Sequence, residues 1–511
     1  MMLRFFILAF GVKVLGSGLV IFGGVTEGGS HFRPSSQALF VLKPVRPATT
    51  ACPGMKGHRK TPMKFDTQVL KVLEKALDKL SEGFEGLPEA APAVDRRRLE
   101  TVLLEVAERL QDNYPYFHPL YAGQMLKPPH PVAQLAYMLA MWLNPNNHAL
   151  DGGRASSRME KEAVAEIAAM FGWHRHLGHL TGGGTLANLE ALWIAGRLKP
   201  GTKVVASEQA HYTHQRISEV LGLAFETVAC DDDARMDPDA LSEILEKGRV
   251  GTVVATVGAT GTGALDPLPE ILALREKYGF RLHADAAYGG YFRLADNLDP
   301  SARAVFDRIG EADSIVVDPH KHGLQPYGCG CILFRDPGVG RFYQHDSPYT
   351  YFTSSELHLG EISLECSRAG ASAVALWATQ RLLPMVPEGE FAAGLSRGRA
   401  AALDLYARIQ ADKRFRAILK PELDIVVWAP AGGSASEISE RTAALFAAAA
   451  REHLHLATFR YPAGRLLARW PDVRLNQPYV TCLRACLMKP EHHDWLGRIW
   501  EILERAAAAV R

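Results

Sequence analysis

Between residues 134 and 335 the chain alternates short β-rich runs with stretches of helical period. The runs are KVVAS (203–207), AFETVAC (224–230), GTVVATVG (251–258), FRLHADA (280–286), SIVVD (314–318) and CILFR (331–335). Helical spacing falls near 157–171, 185–198, 211–221, 238–247 and 267–278. The runs are apolar nearly throughout rather than at every second residue, which predicts strands buried on both faces. Strand–helix alternation then predicts a mostly parallel sheet with helices on both sides. Ligands of such sheets bind beyond the carboxyl ends of the strands, so the chemistry is expected just after these runs.

The flanks read differently. Residues 1–62 are apolar and then rich in Gly, Pro, Ser and Thr, as expected of a poorly ordered extension or of a start placed too early, with Met63 as the alternative start. The run Phe5–Val12 also raises a signal peptide or anchor, but Lys13 stops it short of the roughly 20 residues that a span needs. Residues 63–133 form an N-terminal segment: 63–112 read as helices with a Pro-rich break at 88–92, followed by the loop YPYFHPLYAGQMLKPPHPVA (114–133). That loop fits a pocket wall and a proline-stiffened connection equally well. Residues 134–390 form the expected large domain, including a helix near 370–383. Residues 391–511 mix helices (394–410, 435–453, 491–509) with strands at 424–430 and 479–486, the pattern of a smaller α+β domain.

Lys plus Arg total 57 and Asp plus Glu 56, so no charge excess draws the chain to nucleic acid or to an anionic membrane. Seven cysteines in 511 residues, an odd and sparse set, fit free thiols in a reducing compartment, and a cytoplasmic location is expected. No metal site is expected. The Cys329/Cys331 pair has the wrong spacing for zinc, and His174, His176 and His179 read as loop residues beside a pocket.

Three motifs carry chemistry. In HLTGGGTLANLEAL (179–192) three glycines precede a helix opened by Thr185, which suits either a phosphate cradle or a flexible turn with a threonine cap. In FRLHADAAYGGYF (280–292) Asp285 ends an apolar strand and needs a partner, either structural or a cationic ligand atom. In SIVVDPHKHGLQPYGCG (314–330) Lys321 follows another strand, where partial desolvation would make it an amine nucleophile. A phosphate cradle, an acid and a lysine in one α/β domain are what pyridoxal phosphate requires.

These motifs, with SEQAHYTHQRI (207–217), ATVGATGTGALDPL (255–268), HPLYAGQ and NPNNHALDGGRASSRMEKEA (within 118–163), and SPYTYFTSSELHLGEISLECSRAGASAVALWA (347–378), resemble the group II pyridoxal-phosphate-dependent amino-acid decarboxylases. The form DPHKxGLxP is most similar to tyrosine/aspartate-type decarboxylases and also resembles sphingosine-phosphate lyase. The resemblance implies a fold-type I architecture: a large domain around a mostly parallel sheet, plus a small α+β C-terminal domain. It also implies a homodimer with the active site at the subunit boundary.

The resemblance further implies that Lys321 holds the cofactor as a Schiff base and that Asp285 pairs with the pyridinium nitrogen. His211 stacks on one ring face and Ala287 packs the other. Gly183, Gly184, Thr185, Ser314 and His320 hold the phosphate, and Thr260 sits beside the ring substituents. Arg368 grips the substrate carboxylate. Tyr349 or Tyr351 protonates the quinonoid carbon. His322 stands where many relatives have Trp, and a triple glycine replaces the more usual Ser-containing phosphate loop. The expected reaction is decarboxylation of an L-amino acid to its amine, with carbon–carbon (aldehyde) lysis as the alternative. The side chain is left open between an aromatic one and an acidic one paired with Lys127 or Arg154.

Overall fold

The computed structural model describes residues 67–88, 94–344 and 357–510. The 1–62 extension, Met63 and the loop tyrosines Tyr349 and Tyr351 lie outside the described residues. Seven strands form the main sheet: β1 (Leu177–Thr181), β2 (Lys203–Ser207), β3 (Ala224–Val228), β4 (Val250–Thr256), β5 (Arg281–Asp285), β6 (Ser314–Val317) and β7 (Gly330–Phe334). Their order across the sheet is β1-β7-β6-β5-β4-β2-β3. β2 to β6 run parallel, and β7 is antiparallel to both of its neighbours, β6 and β1. β1 therefore points the same way as β6, and the carboxyl ends of six strands share one edge.

The central strands are buried along their whole length. Every residue of β6 and β7 is buried, as are six of the seven in β4. This is why the sequence shows continuous apolar runs there and no alternation. The sequence expectation places His179 in a loop; the structure places it in β1. Two features hide that strand. Gly178 is a glycine because a Cβ there would lie 2.9 Å from the Ile332 carbonyl oxygen of β7. His179 is polar but fully buried, with Nε2 2.9 Å from Glu190 Oε2.

A second sheet holds β8 (Phe415–Ala417), β9 (Ile425–Pro430), β10 (Ala457–Pro462) and β11 (Tyr479–Cys486), in the order β10-β11-β9-β8 and antiparallel throughout. Its two faces serve two cores, as a period of two dictates. Val426, Trp428, Leu483 and Ala485 pack with helices Glu390–Ala411, Ala435–Arg451 and His492–Ala508. Ile425, Val427, Ala429, Val480, Cys482 and Cys486 face the core of the main sheet. The 114–130 stretch lies along the second sheet: Ala122 N–H donates to the His455 carbonyl and Cys486 N–H to the Ala122 carbonyl. Pro131 then opens a helix to Met141 that the sequence reading does not contain, with His130 as its cap.

Candidate active site

A cavity of about 510 Å³ opens at the carboxyl edge of the main sheet. Its lining includes Gly183, Gly184, Thr185, His211, Thr260, Asp285, Ala287, His320 and Lys321, all expected from the sequence. The fold thus gathers residues spread over nearly 140 positions because β1, β4, β5 and β6 all end here.

Asp285 closes β5 and is 5% exposed. Its Oδ2 accepts from His214 Nε2 at 2.8 Å and from Asn188 Nδ2 at 3.3 Å, and its Oδ1 accepts the Ala287 N–H at 3.2 Å. Burial alone would raise its pKa. The His214 hydrogen bond and charge, with the Lys321 charge, outweigh burial and hold the carboxyl well below the usual carboxylate range. Behind it runs a buried chain. Ser314 Oγ lies 2.9 Å from His283 Nδ1, His283 Nε2 lies 2.8 Å from Asn188 Oδ1, and Asn188 in turn donates to Asp285. Burial pushes His283 down to about 3, so its ring is neutral. Its Nε2–H donates to the Asn188 carbonyl oxygen, which turns the amide N–H toward the carboxylate.

The phosphate turn follows β1. Gly183 has φ +146°, a conformation that a side chain would strain, and it swings the chain into the helix Gly184–Leu198. At Gly184 a Cβ would come within 2.7 Å of Asp318 Oδ2. The N–H groups of Gly184 and Thr185 open the helix, with no intrahelical carbonyl to take, and they are free for an anion. The Gly182 N–H is taken by Glu365 Oε2 at 3.0 Å.

Lys321 sits four residues past β6, in a turn closed by its own N–H on the Asp318 carbonyl at 2.9 Å. Its Nζ lies 3.1 Å from Asp318 Oδ2. His320 is lowered by burial; its Nδ1 is 2.8 Å from the Cys329 carbonyl, and its ring lies 4.6 Å from that of Tyr327. His211 is likewise lowered by burial, with Nδ1 2.8 Å from Thr213 Oγ1.

Two expected residues stand elsewhere. Ser314 begins β6, does not line the cavity, and meets His283 Nδ1 through its hydroxyl. Arg368 does not line the cavity either. Its Nη1 contacts Glu160 Oε1 and the Leu180 carbonyl, both at 2.6 Å, so it clamps the end of β1. Lys127 donates to the Met488 carbonyl at 3.3 Å, and Arg154 lies 3.7 Å from Asp151; neither reaches the cavity lining.

Sequence reasoning misses His214, Asn188, His283, Asp318 and Arg484. Spacing held a signal for the first three. His214 is one helical turn from His211, Asn188 one turn from Gly184, and His283 shares its strand face with Asp285. Arg484 is a buried cation on the face of β11 that looks toward the main sheet. Its guanidinium donates to the Thr260 carbonyl at 2.7 Å, to Gly261 at 3.2 Å and to Gly123 at 3.3 Å. It is thus the buried arginine tied directly to a lining residue.

The family model described as the pyridoxal-dependent decarboxylase conserved domain matches residues 98–429. The chain belongs to that family. Its curated relatives include an L-tyrosine decarboxylase of Enterococcus faecium, 29% identical over 407 residues, which cover 60% of this chain and 66% of that one. An L-aspartate decarboxylase of Thermococcus kodakarensis is 30% identical over 55% of this chain and 72% of its own. The L-tyrosine decarboxylase of Levilactobacillus brevis is matched over 62% of its length, so the chain spans just under two thirds of these two tyrosine decarboxylases.

Among solved structures, mouse CSAD superposes with a TM-score of 0.70 at 20% identity, covering 87% of this chain and 92% of that one. Oryza sativa TDC, solved with PLP and tryptamine, gives 0.70 at 16% identity over 88% and 99%. The architecture is that of fold-type I proteins, and pyridoxal phosphate is the cofactor of this decarboxylase family. The residues of the cavity fit it: a helix start with free N–H groups, a buried anion, and a lysine amine in one lined space.

The neutrality of His283 makes a pH prediction for this decarboxylase-family fold. A histidine held near 3 in the fold and near 6.5 when unfolded contributes stability that is complete above pH 6.5 and is lost as the pH falls toward 3. His283→Gln is expected to cost about 1–3 kcal/mol at pH 8. The gap in melting temperature from the wild type should narrow steadily between pH 6.5 and 4, as followed by circular dichroism.

Proposed function

We propose that the protein removes the α-carboxylate of an L-amino acid as CO₂ and releases the corresponding amine. The observation that carries this is the single cavity in which Lys321, the anionic Asp285 and the open start of the helix Gly184–Leu198 face one another. The bond broken is that between Cα and the carboxylate. The electron pair stays with Cα, and a proton takes the place of CO₂. When bound, pyridoxal phosphate supplies the electron sink for that pair.

The residues of the chain do the rest. Lys321 holds the cofactor through its amine, and Asp285, kept ionised by His214 and Asn188, holds a proton on the ring nitrogen. Gly184 and Thr185 bind the phosphate through backbone N–H groups, aided by His320. His211 and Ala287 take the two ring faces, and Thr260 lies beside the ring. Arg368 gives its Nη1 to Glu160 and the Leu180 carbonyl, and its buried Nε and Nη2, which have no protein partner, remain to grip the substrate carboxylate. Arg484 supports the Thr260 turn, with each of its three guanidinium nitrogens donating to a backbone carbonyl. Tyr349 and Tyr351 are proposed as the proton donors to Cα on the resemblance alone.

An aromatic substrate side chain is favoured over an acidic one. Leu186, Leu189 and Tyr288 line the cavity, whereas Lys127 and Arg154 do not. The test is CO₂ release with added pyridoxal phosphate across a panel of L-amino acids, led by tyrosine, with Lys321→Ala alongside. Release from an aromatic substrate that Lys321→Ala abolishes is expected. A cofactor-loaded protein that releases no CO₂ from the panel, but cleaves phosphorylated amino alcohols to aldehydes, would overturn the proposal.

We further propose a cytoplasmic homodimer. Helix Arg96–Leu110 has no buried residue, and Leu99, Val102, Leu103, Val106 and Leu110, at helical spacing, are 45–61% exposed. Such a stripe has no covering surface among the described residues of its own chain, and a second copy supplies one. Light scattering should give twice the chain mass, and the pair Leu99→Asp and Leu103→Asp should halve it. A wild-type monomer would contradict this.

A further inference from the structure

A second polar cluster lies beside the cavity, and the reaction does not use it. Asp424, just before β9, is fully buried. Its Oδ1 accepts the Tyr288 hydroxyl at 2.5 Å, and its Oδ2 lies 3.4 Å from His322 Nε2. Tyr288 is 2% exposed, yet its side lines the cofactor cavity three residues after Asp285. Its ring meets that of His322, the residue after Lys321, edge-on at 4.7 Å. Lys127, His322, Asp424 and Met488 bound a void of about 20 Å³ on the far side, room for one water molecule.

The cluster joins three parts of the chain: Lys127 from the 114–133 stretch, Tyr288 and His322 from loops of the main sheet, and Asp424 from the second sheet. Burial raises the Asp424 carboxyl to about 6 and lowers the Lys127 ammonium to about 8. Such a set is expensive to bury. Apolar residues of the same volume would hold the three parts together at least as well, so packing alone does not account for it. What the carboxylate does specifically is take the Tyr288 hydroxyl. The hydroxyl is held on Asp424, and the ring forms part of the wall of the cavity that Lys321 also lines.

We propose that Asp424 is a positioning residue of the cofactor cavity, acting through Tyr288. Asp424 touches neither cofactor nor substrate; it fixes the aromatic wall against which the cofactor seats.

The test is pyridoxal phosphate binding to the apo-protein, followed by quenching of intrinsic fluorescence and by the visible absorption of the bound cofactor. The variants are Asp424→Asn, Tyr288→Phe and the two together. Each single change is expected to weaken binding about tenfold and to shift the absorption band. The double variant should be no weaker than the worse single one, because Tyr288→Phe already removes the contact through which Asp424 acts. Tyr288→Phe deletes only a hydroxyl and keeps the test readable if Asp424→Asn folds poorly. Unchanged affinity and spectrum in Tyr288→Phe would overturn the proposal. So would strictly additive losses, or a lowered melting temperature in Asp424→Asn with unchanged affinity.

Discussion

The buried carboxylate of Asp285 is the interaction on which the site depends. A carboxylate removed from water favours its neutral form, and an acid that took up a proton could not hold a cationic ring nitrogen. The fold prevents this with three donors: His214 Nε2 and Asn188 Nδ2 on one oxygen and the Ala287 N–H on the other. Asn188 is itself oriented by a neutral His283, and His283 by Ser314. The chain of contacts runs from the middle of β5 into the helix Gly184–Leu198, so the anion and the open helix start are fixed by one set of hydrogen bonds.

The sheet explains how distant residues meet. Because β7 alone is reversed, β1 and β6 point the same way, and their ends bring the Gly182–Gly184 turn next to the Asp318–Lys321 turn. Gly184 has no side chain because Asp318 occupies that space. The second sheet closes the arrangement from the other side. The alternation of β11 sends Leu483 into its own helical core and turns Arg484 toward the Thr260 turn. The site is thus a product of both sheets, although every residue first singled out for the cofactor comes from one of them.

Much of this was legible in the chain. Apolar runs located β2 and β4 to β7 within a few residues, because strands buried on both faces must be apolar throughout; β3, an edge strand with one buried residue, was found by its β-rich composition. Asp285 and Lys321 stood out because charges at the ends of such runs require a reason. What periodicity could not reveal was polarity satisfied inside the core. β1 was hidden by Gly178 and His179; His214, Asn188 and His283 held a signal in their spacing, but as residue types they look ordinary on helices and strands. Ser314 and Arg368 show the converse. Their residue types suit phosphate and carboxylate, but neither lines the cavity, and the protein supplies a partner for Ser314 Oγ in His283 and for Arg368 Nη1 in Glu160.

The central claim is that Asp285 remains an anion in the fold and keeps the cofactor's ring nitrogen protonated. The most direct test is the ¹⁵N chemical shift of ring-labelled pyridoxal phosphate bound to the protein at neutral pH, in the wild type and in Asp285→Asn. A pyridinium shift in the wild type, moving to that of a neutral pyridine in the variant, is the result this account predicts. A neutral nitrogen in the wild type would contradict it.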